Sequence, residues 1–93
     1  MRTVTLDARH IATCAAFQRY IQFALDFPAS YGRNLDALHD MLRTLDRDTR
    51  IVLLAGGEKS EEMARYLPRV AQVIEDSAQE NAHLRFEGIS EAQ

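Results

Sequence analysis

The 93-residue sequence predicts an α/β fold in two layers: a three-stranded parallel sheet with about four helices, in the order β-α-α-β-α-α-β. Three observations carry this. Ile51-Val52-Leu53-Leu54-Ala55 is an unbroken apolar run closed by Gly56-Gly57, the pattern of a buried strand in a parallel sheet. Near each end a shorter stretch alternates, Val4 and Leu6 with Thr3 and Thr5, and Leu84 and Phe86 with His83, Arg85 and Glu87, which is the two-residue period of a strand. Between these segments apolar residues recur every three or four positions, the period of a helix. Strands separated by helices pair in parallel through right-handed crossovers, with the helices chiefly on one face.

The elements follow in order. After the first strand, Cys14, Phe17, Ile21 and Leu25 form the stripe of a helix with Gln18 and Gln22 between them, and Pro28 stops it. Residues 28–32 are then a loop in which Gly32 is expected to take a positive φ. Asn34 is placed to cap a second helix, whose stripe is Leu35, Leu38, Leu42 and Leu45. A charged turn over 46–50 leads to the central strand. Ser60 is placed to cap a short helix from Glu61 to about Tyr66. Leu67-Pro68 is expected to end that helix, with Pro68 opening a fourth whose apolar face is Val70, Val73, Ile74, Ser77 and Ala78.

Ninety-three residues suit one domain, 1–93, and no more. Apolar residues at 46% and charged ones at 27% place the chain among globular proteins and not disordered ones. A net charge of −3 argues against nucleic acid as a partner, because no excess of cations is present to displace phosphate counterions. Cys14 is the single cysteine, so no intramolecular disulfide forms. The first residues carry no apolar signal core, and no apolar run reaches the ~18 residues of a membrane span. The expectation is a cytoplasmic protein with no membrane partner.

The second helix carries the functional argument. On a helical wheel its leucines gather on one side, and Asp36, His39, Asp40 and Arg43 fall on the other. Asp36 and Asp40 are four residues apart, a like-charge spacing that costs a few tenths of a kcal/mol on an isolated helix. Two readings fit. The face is solvated, with Arg33 reaching Asp36 and Asp40 pairing with Arg43; or the two carboxylates present negative charge to a cationic site on another molecule. The wheel leaves both open.

The segment Tyr31-Gly32-Arg33-Asn34-Leu35-Asp36-Ala37-Leu38-His39-Asp40 resembles the signature of the barstar family of ribonuclease inhibitors. That signature is a tyrosine and glycine, then Asn-Leu-Asp-Ala-Leu, then an aspartate two residues on. The order of elements extends the likeness over nearly the whole chain, and a weaker echo lies in Val70 to Asp76. The resemblance implies a barstar-like fold and an intracellular inhibitor of the immunity or antitoxin type. Such a protein is not an enzyme, needs no cofactor or metal, and is a monomer when free. Its partner would be an extracellular-type or toxin ribonuclease with a basic active site. By the same resemblance Asp40 would be the principal acid, lying where a substrate phosphate would sit. Asp36 would be a second acid at the rim, and Asp76 would reach the partner from the side. Tyr31 and Gly32 would shape the loop, and Asn34, Leu35, His39 and Arg43 would complete the contact surface. The chain departs from the family's type member at Ser30 and His39, where that protein has aromatic residues, so two interface anchors are missing. Arg33 and Arg43 add positive charge beside the acids. A second reading keeps the fold and makes the chain a regulatory module for a partner that is not a nuclease.

Other constellations carry less. Gly56-Gly57-Glu58-Lys59-Ser60 hints at a phosphate-binding loop, but Glu58 stands where glycine must precede the lysine. His39 with Asp36 and Asp40 has helical spacing for metal ligands but lacks further ligands. Cys14, on the stripe of the first helix, is expected to be an inert packing residue. Tyr20 and Tyr66 are expected half-buried at the layer edges.

Overall fold

A computed structural model describes residues 1–91. Its elements are β1 (Arg2–Asp7), α1 (Cys14–Ala24), α2 (Leu35–Arg43), β2 (Thr49–Leu54), α3 (Glu61–Glu80) and β3 (Leu84–Ser90). The three strands form one parallel sheet in the order β1-β2-β3. The apolar run thus occupies the centre, where both edges of the strand are paired. Val4 and Leu6 of β1, and Ile51 and Leu53 of β2, are buried. Their alternating neighbours Thr3 and Thr5 are exposed, and Val52 and Leu54 are half-buried. The sheet therefore packs one face against the helices and leaves the other partly open. On the open face Arg50 Nη2 pairs with Glu87 Oε2 at 2.8 Å.

The pairing of β2 with β3 shifts register once. Ile51 faces Phe86, but Leu53 faces Ile89. The additional residue is taken up beside Gly88, whose φ of +90° suits a glycine. At the other side of the sheet, Tyr20 of α1 closes part of the β1 edge. Its hydroxyl accepts from the Asp7 amide (2.9 Å) and donates to the Thr5 carbonyl (3.0 Å), which satisfies groups an edge strand otherwise leaves open.

Among the described residues three helices are present, and the order is β-α-α-β-α-β. The expected break at Leu67-Pro68 does not occur; Pro68 lies inside a continuous α3. A proline there forgoes the backbone bond to the Ala64 carbonyl, a cost of about 3 kcal/mol in a helix interior. Against it stands one unbroken buried stripe, Met63, Leu67, Val70 and Ile74, each at most 2% exposed. Burying each large side chain is worth about 1.5–3 kcal/mol, and a bend at Pro68 would divide the stripe. Packing wins, and the proline ring stays on the exposed side. Among the described residues, no helix is long and apolar enough to cross a membrane.

Candidate functional site

The 28–34 loop and α2 form the site, and they are built from the inside. Tyr31 is buried at 6% exposure. Its ring lies 4.9 Å from that of Phe27. Its hydroxyl donates to Gln18 Oε1 at 2.5 Å, and Gln18 Nε2 donates to the Tyr66 hydroxyl at 2.6 Å. A chain of hydrogen bonds thus runs from the loop through α1 to α3, and burial holds both phenols above their ordinary pKa. The loop's outer side is tied down too. Gln22 Nε2 donates to the Pro28 carbonyl (2.8 Å), and Arg33 Nε donates to Gln22 Oε1 (2.8 Å).

The positive φ expected at Gly32 is found one residue later, at Arg33 (φ 56°), and also at Asp26 (φ 57°). A side chain at position 32 would place its Cβ 3.2 Å from the Ala37 Cβ. Glycine is there for the close approach of the helix, and Arg33 makes the left-handed turn into it.

Asn34 caps α2 as its position predicts, its Oδ1 accepting from the Ala37 amide at 2.7 Å. The far end is held by Asn81, which follows α3 and is 7% exposed. Its Nδ2 donates to the carbonyls of Leu42 and Leu45, both at 2.9 Å, and its Oδ1 accepts from the His83 amide. Leu42 is in the last turn of α2 and Leu45, which the leucine spacing places on the same stripe, lies just past the helix end at Arg43; the Leu42 carbonyl also accepts from the Leu45 amide at 3.4 Å. Leu38 and Leu42 are fully buried; Leu35 is half-buried. The start of α2 shares a groove with Tyr66 and Arg69, and His39 Nε2 lies 3.0 Å from Glu80 Oε2. The two helices therefore run side by side in the same direction.

The outer face carries the charges. Asp36 and Asp40 are exposed, and His39 is half-buried. Asp36 makes no ion pair among the described residues, since Arg33 turns to Gln22 instead. Asp40 Oδ1 meets Arg43 Nη2 at 3.3 Å with both side chains largely in water, a pair worth at most about 1 kcal/mol. Asp76 is exposed on α3, accepting from Gln72 Nε2 at 2.8 Å. Asp36, Asp40 and the neighbouring Glu80 give the α2 face its carboxylates, bordered by Arg33, Arg43 and Arg69. Among the described residues, no three histidine, cysteine or carboxylate side chains gather as metal ligands.

Cys14 is not the packing residue its place on the stripe suggests. It is the first residue of α1 and half-exposed, its amide donating to Glu62 Oε2 at 2.5 Å. Desolvation, with the Glu62 carboxylate beside it, pushes its thiol above the ordinary pKa. Gln18, Tyr66 and Asn81 shape the site yet escape sequence reasoning because partners of each lie far off in the chain; Gln22 escapes it because its bonds to Pro28 and Arg33 follow from the fold of the loop and from no sequence period.

The chain is thus a two-layer α/β module that displays acids on a helix clamped at both ends. The family model for Barstar (barnase inhibitor) matches residues 1–89. The chain is also similar to a Bacillus subtilis (strain 168) protein named "Putative ribonuclease inhibitor YrdF", with 32% identity over 81 residues, covering 86% of this chain and 89% of that one. The chain belongs to the barstar family.

Proposed function

We propose that this protein inhibits a ribonuclease by laying the 28–34 loop and α2 over a cationic active site. One observation carries the reading: Asp36 and Asp40 stand exposed on a helix whose two ends are fixed by Asn34 and Asn81. A ribonuclease holds phosphate with Arg, Lys and His. A carboxylate held on a fixed helix in that place competes for the same donors through charge-assisted hydrogen bonds, and little backbone freedom is left to lose on binding. Asp40 is the principal acid, Asp36 and Asp76 act from the rim, and His39 and Arg43 border the contact. Family membership and the name of the Bacillus relative support the partner class.

The test is inhibition of RNA cleavage by barnase and a panel of small secreted and toxin ribonucleases, with calorimetry on each nuclease inhibited. Asp40→Ala should weaken binding more than any other single change on α2. The expected loss is about 2–5 kcal/mol, as when a buried charge pair loses one partner. Asp36→Ala and Asp76→Ala should cost less and act chiefly on the association rate and its salt dependence. The reading fails if no ribonuclease is inhibited, if Asp40→Ala binds as the unaltered chain does, or if affinity ignores salt.

A further inference from the structure

Phe23 is 86% exposed, and it is the most open aromatic side chain among the described residues. It follows Ile21 by two positions, about 200° around α1 from the buried stripe. A lone exposed apolar residue needs no explanation, but Phe23 is not alone. It borders a groove of about 480 Å³ shared with Arg19, Asp26, Phe27 and Arg33. Among the described residues, neither Arg19 nor Arg33 has a carboxylate within 4.0 Å. The Nε of Arg33 is held by the neutral amide of Gln22. That bond and the one from Gln22 to Pro28 fasten the loop to α1, so the groove keeps its shape. Arg33 also lines the adjoining groove with Leu35 and Asp36. The surface around Phe23 is therefore continuous with the acidic face of α2.

We propose that the partner interface runs past α2, over Arg33, and onto the outer side of α1, where Phe23 flanked by Arg19 and Arg33 docks an apolar, carboxylate-bearing segment of the same nuclease at the rim of its cationic site. This rests on the inhibitor reading. Aromatic and arginine side chains are the residue types that anchor interfaces, and α2 itself carries no Phe, Tyr or Trp. Phe23 supplies an aromatic from a neighbouring element. The occupant is fixed by charge: two guanidiniums against the single carboxylate of Asp26 call for an acidic surface. A second copy docking through the same patch would bring the arginines of both copies together. The patch also selects among nucleases, because a rim that is cationic throughout meets Arg19 and Arg33 as like charges.

The experiment compares the unaltered chain with Phe23→Ala, Arg19→Ala and Asp40→Ala. Each is titrated against every ribonuclease that the unaltered chain inhibits, barnase included, with dissociation rates and inhibition constants recorded. Circular dichroism confirms the fold of each variant; Phe23 and Arg19 are exposed, so both should fold normally. Phe23→Ala should weaken inhibition at least about tenfold, mainly through faster dissociation, as truncating an anchor does. Arg19→Ala should weaken it by a smaller factor that shrinks further at high salt. If Phe23→Ala stays within about twofold of the unaltered chain while Asp40→Ala is weakened, the patch is not part of the interface and the inhibitor reading stands. If the free chain self-associates in sedimentation and Phe23→Ala abolishes this, Phe23 belongs to a contact between copies and the proposal is overturned. If no ribonuclease is inhibited, the inhibitor reading itself fails and takes this proposal with it.

Discussion

The underside of the 28–34 loop and the outer face of α2 are neighbours in the chain and are built on opposite terms. Beneath the loop, Tyr31, Gln18 and Tyr66 satisfy one another in a setting where Tyr31 and Gln18 are almost wholly out of water. On the outer face, Asp36 has no ion-pair partner among the described residues, and Asp40 has one weak, solvated pair. A buried polar group left unpaired costs about 1–3 kcal/mol; an exposed one costs almost nothing. The difference teaches that the loop's shape is held from below, while the charges above it are free to be used in binding.

That contrast can be broken experimentally. Tyr31→Ala should have the largest effect, a loss of about 3–5 kcal/mol in folding stability, because it removes a buried ring and strands Gln18. Urea denaturation measures it, and a loss under about 1 kcal/mol would mean the underside is not structural. Asn81→Ala comes next, at about 1–3 kcal/mol, since the Leu45 carbonyl loses its side-chain donor and the Leu42 carbonyl keeps only the long bond from the Leu45 amide; amide exchange in the last turn of α2 should quicken. Alkali sharpens the comparison. Burial, reinforced by Tyr66, pushes the Tyr31 phenol up, so the folded state grips its proton more tightly than the unfolded chain. That contribution is whole below the ordinary tyrosine value of about 10 and is lost as pH rises through the folded value. Denaturation midpoints should therefore fall in strong alkali, less steeply in Tyr31→Phe, with tyrosinate absorbance rising as the protein unfolds. The smallest effect is on the outer face: Asp40→Ala should move folding stability by no more than about 0.5 kcal/mol. A loss above about 2 kcal/mol would make Asp40 a structural residue.

The parts legible in the sequence are those decided locally. A cap needs only a side-chain oxygen three residues before an amide, so Asn34 and Ser60 could be read directly and both bond as expected. The leucine stripe and the apolar central strand are equally local. Pro68 misled because its local cost is real, and only the tertiary stripe from Met63 to Ile74 outweighs it. Gly32 misled because glycine suits both a left-handed turn and a close approach, and the second applies here. Asn81 lies 39 residues from Leu42, and Gln18 lies 48 from Tyr66; no periodicity points to either. Phe23 falls off the buried stripe, so no periodicity marks it.

The two-ended clamp on α2 has a consequence for change over generations. Asn34 and Asn81 hold the helix ends, Leu38 and Leu42 hold its inner side, and Arg33 and His39 tie it to α1 and α3, so the exposed positions 36, 40 and 43 contribute little to keeping the helix in place. Substitutions there alter what the surface recognises with small effect on whether the chain folds. A scaffold of this kind can follow a binding partner that mutates to escape it, and a library randomised at those three positions should stay folded in most of its members while its targets diverge.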